Sequence, residues 1–273
     1  MGIVTSETME PQAFFNRDGA RLVPNECARG PWKAGTLHGR VVIGVLGAEI
    51  ERQHGDPEFM PARLTVDLYR APGLVPMEVV TRRVRDGHRI RVVDAELLSE
   101  GQSAGRASCM LLRRSANALG EVWSRPEWDA PPPDSVSDPG AFDGNMYGMW
   151  SLRPISGMIG AFGQRRAWLR EVRPLVAGEL LTPFGRIVSG ADYASPLANA
   201  GDQRGLGYIN SDLTLHLHRL PAGEWIGYES TVHGATDGVA IGSCDLYDEH
   251  GRIGWASVCA LAQAKAPSGR PPE

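Results

Sequence analysis

Two hydrophobic periods run through this chain. From Asp212 to His218, Leu213, Leu215 and Leu217 alternate with Asp212, Thr214, His216 and His218; this period of two gives a strand one apolar face and one polar face. Between residues 36 and 52, Val41, Val42, Val45, Leu46 and Ile50 recur near helical spacing, which predicts a helix with a buried stripe. Gly39, Gly44 and Gly47 fall inside it. A glycine costs a helix about 1 kcal/mol, so three of them predict a helix pressed too closely on a sheet to carry side chains there.

Strand-like runs follow that helix at 62–70, 77–85, 89–98 and 103–114, separated by "APGLVP", "DG" and "EG", which are turn signals. The second half repeats the plan. "TPFGRIVSGADYASPLANAG" (182–201) opens on Thr-Pro, the N-cap and first-turn pair of a helix. Runs at 208–219, 224–235, 239–249 and 252–263 come after it. A strand precedes each helix, "ARLVPN" (20–25) in the first half and "RRAWLREVRP" (165–174) in the second. Leu64, Thr65, Leu68, Arg70 and Pro72 recur as Leu213, Thr214, Leu217, Arg219 and Pro221, all 149 residues on, and the same offset sets "GRASC" (105–109) on "GWASV" (254–258). Two segments in one register indicate a duplication.

The fold class is therefore α+β, with a curved antiparallel sheet around one helix, occurring twice. Residues 124–145 are rich in Pro, Asp, Ser and Gly, a composition that holds neither helix nor central strand. They read as a linker between an N-terminal unit (1–123) and a C-terminal unit (146–265), with 266–273 as a tail.

Composition narrows the partners. The formal charge is −4 and the seven histidines are scattered, so there is no basic field for nucleic-acid phosphates. No apolar run reaches the ~18 residues of a membrane span, and "MGIVTSETMEPQAFF" lacks the apolar core of a secretory signal. "MGIVTS" fits the loose myristoylation pattern without a second anchoring signal. Cys27, Cys109, Cys244 and Cys259 stand far apart with no C-x-x-C pair, which suits reduced thiols in the cytoplasm.

Taken together, "GPWKAGTLHGRVVIGVLGAEIER", "RLTVDLYRAP", "VRDGHRIRVVDAELLSEG", "WLREVRPLVAGE", "SGADYASPL", "INSDLTLHLHRLPAGEWIGYES" and "LYDEHGRIGWAS" resemble the acyl-CoA thioesterases of the hotdog superfamily. The resemblance is to the double-hotdog chains similar to bacterial thioesterase II, and it covers most of the sequence. It implies hydrolysis of acyl-CoA to free acid and CoA without metal or organic cofactor, in lipid metabolism, by a homo-oligomer. It also implies a working site in the second half: a helix aspartate, a Thr/Ser/Asn-type group early on the next strand, and a glutamine on the last strand, which together aim one water at the thioester. By position Asp192 matches the aspartate and Asn210 the second group. Cys259 falls where the glutamine is expected, with Val258 one residue away. That departure leaves open a second reading, an impaired acyl-CoA or lipid binder.

The residues themselves carry parallel readings. Asp192 lies among Ile187, Val188, Ala191 and Leu197, where a carboxylate needs a hydrogen-bond partner or a wet pocket, and it could deprotonate a water. Asn210 could hold that water or end a strand. Cys259 has no adjoining His or Lys to lower its pKa and reads as a small hydrophobe. His38-Gly39 resembles the His-Gly start of many hotdog helices, whose N–H groups can bind an oxyanion, and the resemblance assigns it to a degenerate first-half site. Hotdog hydratases carry a histidine five residues after the aspartate, and Leu197 stands there. His216 and His218 share a polar strand face but lack a third metal ligand. A hairpin at Pro221–Gly223 would set His233 opposite Asn210, about 20 Å from His216 at ~3.3 Å per residue.

Overall fold

The computed structural model describes residues 11–139, 148–157, 159–202 and 206–263. The myristoylation pattern, residues 140–145 of the linker and the 266–273 tail lie outside them. In the first half the order is β1 (Phe15–Asp18), β2 (Arg21–Pro24), α1 (Gly39–His54), β3 (Phe59–Leu68), β4 (Met77–Asp86), β5 (Ile90–Ser99) and β6 (Gln102–Arg113). The second half runs β7 (Trp150–Ser156), β8 (Arg166–Glu171), α2 (Pro183–Gly190), α3 (Ala194–Asn199), β9 (Tyr208–Asn210), β10 (Asp212–Leu217), β11 (Trp225–Thr236), β12 (Val239–Asp248) and β13 (Gly251–Ala262). The predicted helices and strands are present. The hairpin partner β1 and the strand β7 are additions: β1 is only four residues long, and β7 carries Pro154 inside its run.

All strands join one antiparallel sheet in the order β1-β2-β4-β5-β6-β3-β10-β13-β12-β11-β8-β7, with β9 also on β13. The order reads the same from either end once each strand is exchanged for its counterpart. Its centre is the β3–β10 pair, where Thr65 lies directly across from Thr214 and their hydroxyls are 3.3 Å apart. These two threonines are the same position of the repeat, so an approximate two-fold axis passes between them. The hairpin expected at Pro221–Gly223 is corrected: β13 and β12 lie between β10 and β11, because the chain crosses over instead of turning back.

Helix α1 lies on β4, β5 and β6, α3 lies on β11, β12 and β13, and α1 packs against α2. This last contact corrects the reading of the helix glycines. A Cβ on Gly44 would sit 2.9 Å from Ser189 Oγ, and one on Gly47 would sit 2.7 Å from Val188 Cγ1. Gly44 and Gly47 thus admit the other helix, not the sheet. Arg40 locks this contact. Its guanidinium pairs with Glu171, both side chains 1% exposed, and its nitrogens donate to the Ser189 and Met149 carbonyls at 3.3 Å each. A charge this deeply buried is tolerated only when paired and hydrogen-bonded.

The described part of the Pro-rich segment is docked on the second half. Trp128 stacks on Tyr247 at 4.3 Å between ring centroids and meets Trp168 edge-on at 5.1 Å. The indole of Trp168 donates to the Pro131 carbonyl at 2.9 Å. Gly227 makes room, since a Cβ there would come within 2.3 Å of the Trp128 ring. Among the described residues, no helix is long and apolar enough to cross a membrane.

Candidate active site

The segment 182–201 predicts one helix, and its start is as expected: Thr182 caps α2, its hydroxyl accepting from Gly185 N at 2.9 Å, with Pro183 in the first turn. The helix then breaks into a 3-10 turn over Ala191–Tyr193 before α3. Pro196 explains the break. It has no N–H to give to the carbonyl four residues back, that of Asp192, and its ring crowds the same place. The chain tightens there, and Asp192 sits on the tightened turn, 8% exposed.

Asn210 reaches Asp192 through a second irregularity. Asn210 pairs with Ala260 and Thr214 with Ser257, so four residues on one strand are matched by three on its partner. The extra residue is Ser211, a β-bulge. Strict alternation would turn Asn210 outward with Asp212 and Thr214; the bulge reverses it toward the helix side. Its amide Nδ2 donates to Asp192 Oδ1 at 2.9 Å and to the Asp212 carbonyl at 3.3 Å. Both donors are thus spent inside the protein. Asn210 fixes the carboxylate and has only its oxygen left for a water.

The first half contributes the opposite wall. Helices α1 and α2 run antiparallel, which brings the α1 N-terminus to Asp192. His38 is its N-cap, with Nδ1 accepting from Arg40 N at 3.1 Å and lying 3.5 Å from Asp192 Oδ2. This spacing looks like an ion pair, but the imidazole is 6% exposed. Burial, opposed by Asp192 and aided by Arg40, lowers its pKa to about 4. The neutral reading stands, because Nδ1 is already an acceptor for a backbone N–H. Oδ2 therefore faces a lone pair and receives no proton from His38. Nε2 is buried without a partner among the described residues. A Cβ on Gly39 would be 4.0 Å from Asp192 Oδ1, so the first residue of α1 lies within van der Waals contact of the carboxylate. The assignment of His38-Gly39 to a separate first-half site is corrected; nothing in a linear repeat announces that one helix's start meets the other's middle.

Cys259 is not brought to this group. Along β13, Ala256, Val258 and Ala260 are buried while Cys259 is exposed. Its side chain leaves by the opposite sheet face, where its backbone N donates to Asp212 Oδ1. Partial burial and the Asp212 carboxylate push the thiol up, against a nucleophilic role. A glutamine at 259 would also point away. On the inner face Ala260 lies beside Asn210, and neither Ala260 nor Val258 offers an amide.

The histidine pair is used elsewhere. His216 stacks on Trp255 at 4.7 Å, and His218 Nε2 bonds the Arg252 carbonyl at 2.8 Å. His233 bonds Asn199 Oδ1 at 2.9 Å. No group of three or more His, Cys, Asp or Glu placed to hold a metal occurs among the described residues. Two cavities, of about 620 and 340 Å³, lie beside α1, and Asp192 and Asn210 line neither.

Two family models match the chain. Residues 28–112 match the acyl-CoA thioesterase N-terminal domain and residues 124–255 the acyl-CoA thioesterase C-terminal domain. No curated protein matches in sequence. Similar solved structures include a tesB protein of Mycobacterium avium subspecies paratuberculosis, 13% identical over 91% of this chain and 96% of that one, TM-score 0.68. An acyl-CoA thioesterase II of Mycobacterium marinum is 19% identical over 85% and 91%, TM-score 0.62. A protein of unknown function from Alicyclobacillus acidocaldarius, described as having a hot dog fold, is 13% identical over 92% and 96%, TM-score 0.70. At these identities the likeness is one of fold.

Proposed function

The chain belongs to the acyl-CoA thioesterase family, and from that premise we propose that it is a double hotdog that hydrolyses acyl-CoA at Asp192. The observation that carries this reading is the carboxylate itself: buried on a helix break, pinned through Oδ1 by Asn210, with Oδ2 toward the α1 N-terminus. A water on Oδ2 gives its proton to Asp192 as its oxygen attacks the thioester carbon. The carbonyl oxygen, now negative, accepts from the N–H of Gly39, which has no carbonyl partner inside its helix. Collapse breaks the C–S bond, and Asp192 returns the proton to the departing sulfur, leaving acid and thiol. Asn210 is a positioning residue here, since its donors are spent on Asp192 and Asp212.

One observation favours a second reading, a binder of acyl-CoA with little hydrolysis: Val258 and Ala260, not an amide, face the site. Release of CoA thiol from a panel of acyl-CoAs, followed with a thiol reagent, decides between them. Wild type is expected to turn over, and Asp192→Asn to lose about 10² or more in kcat, in the range of general-base loss, with an unchanged melting temperature. Tight binding of the same acyl-CoAs without thiol release would replace the first reading by the second.

A further inference from the structure

The approximate two-fold axis sends the Asp192 site to a matching place in the first half. With the 149-residue offset, Asn210 becomes Pro61 and Ala260 becomes Leu111. Pro61 pairs with Leu111 as Asn210 pairs with Ala260, and the step from Pro61 to Arg63 against Leu111 to Met110 repeats the bulge. Both residues line the 340 Å³ cavity. Phe184, in the first turn of α2, lines it too, as the first turn of α1 borders Asp192. The same offset puts Ile43 at the place of Asp192, and the carboxylate that borders this cavity is instead Glu51 of α1, which accepts from Thr182 Oγ1, the N-cap of the opposite helix.

We propose that this cavity is a second acyl-thioester site, one that binds without cleaving. The inference rests on the reading that acyl thioesters are the ligands of this chain. Ile50, Phe59, Pro61, Leu111, Phe184 and Leu220 give the cavity an apolar wall for an acyl chain, and Asp56 and Arg114 add a charged stretch to the lining. Glu51 lines both this cavity and the 620 Å³ one, so the two lie on either side of one residue. Ala48, Leu175 and Leu181 line the larger space, which takes the thiol half, with the thioester carbonyl between. The difference from the Asp192 site lies in the partner: proline and leucine have no amide to hold the carboxylate or a water, so no attacking oxygen is positioned.

Charge selects the ligand's end. Around the larger cavity Arg17 pairs with Glu49 and Glu179, and Arg52 with Glu49, so these guanidiniums are already engaged by carboxylates. A fatty carboxylate would set a second negative charge beside Glu51. A thioester carbonyl is neutral and avoids that repulsion.

Dodecyl-CoA thioether, which cannot be hydrolysed, tests this by calorimetry on the full chain. Two equivalents per chain are expected for wild type and one for Leu111→Trp, which fills the cavity, with kcat/KM for acyl-CoA hydrolysis unchanged. Leu220→Trp, at a partly exposed position, supplies the same readout if Leu111→Trp does not fold. One equivalent in wild type, or two in either folded variant, overturns the site. Displacement from it by dodecanoate as readily as by the thioether overturns the thioester assignment. Wild type that binds two equivalents yet releases no thiol from acyl-CoA refutes the proposed hydrolysis and leaves this site standing.

Discussion

His38 shows how much a single residue's setting can change its chemistry. An imidazole ordinarily titrates near 6.5, within the range where thioesterase activity would be assayed. Here burial lowers the pKa to about 4, opposed by the Asp192 carboxylate and aided by the Arg40 guanidinium. His38 should therefore stay neutral from pH 5 upward, leaving Asp192 without a cationic partner and available to water. Stability follows from the same shift. Between about 6.5 and about 4 the unfolded chain binds a proton that the folded chain refuses, so folding weakens as the pH falls through that window and is unaffected by His38 above it. The loss approaches about 3 kcal/mol at pH 4, at about 1.4 kcal/mol per unit. Proton NMR of the imidazole should give a midpoint near 4, and His38→Asn, which still caps α1, should flatten the stability profile between pH 4 and 6.5. A midpoint near 6.5 would mean that His38 is open to solvent and that the site is not as closed as described.

Elements were legible where one period governed them and illegible where a single residue broke it. Apart from β1 and β7, the strands of both halves and α1 follow from alternation and helical spacing. The position of Asp192 depends on Pro196, whose missing N–H falls on the Asp192 carbonyl, and this signal lies in the sequence but weighs nothing in a count of apolar positions. The orientation of Asn210 depends on Ser211, which no composition distinguishes from an ordinary strand residue. Cys259 is misplaced for a related reason: a resemblance matches positions along a strand but does not say which face the strand turns to the helix. The bulge can be tested directly. Deleting Ser211 restores plain alternation against β13, which turns Asn210 outward and strips Asp192 of a charge-assisted hydrogen bond worth about 1.5–3 kcal/mol. Turnover should fall by at least tenfold while the far-ultraviolet circular dichroism keeps its β character. Unchanged turnover in the deletion would show that Asn210 does not position the base.

At the scale of the whole molecule, the two halves complete each other: α1 supplies one wall of the Asp192 site, α2 caps the Glu51 carboxylate, and β3 and β10 close what would otherwise be two sheet edges. We take the break between the halves near residue 123. A fragment 1–123 then carries a ten-residue strand, β3, with one row of backbone N–H and C=O groups unpaired, and such an edge seeks another strand. The two-fold axis at Thr65 says which one. Since Thr65 pairs with its own counterpart Thr214, and Leu64 and Val66 pair with Leu215 and Leu213, a second β3 can take the place of β10 antiparallel, with Thr65 across from Thr65. Such an isologous pairing closes as a dimer. The helices fit less well, because Arg40 would lose Glu171, and an unpaired buried charge costs roughly 3–5 kcal/mol. The fragment should therefore sediment as a weak dimer. Arg40→Met should tighten it by removing the charge, and Val66→Pro should dissolve it by removing a donor on the side that Leu68 shows to face β10. A fragment that stays monomeric both unchanged and with Arg40→Met would show that the β3 edge is protected by the first half itself, and that the pairing of the halves depends on the α1–α2 contact instead.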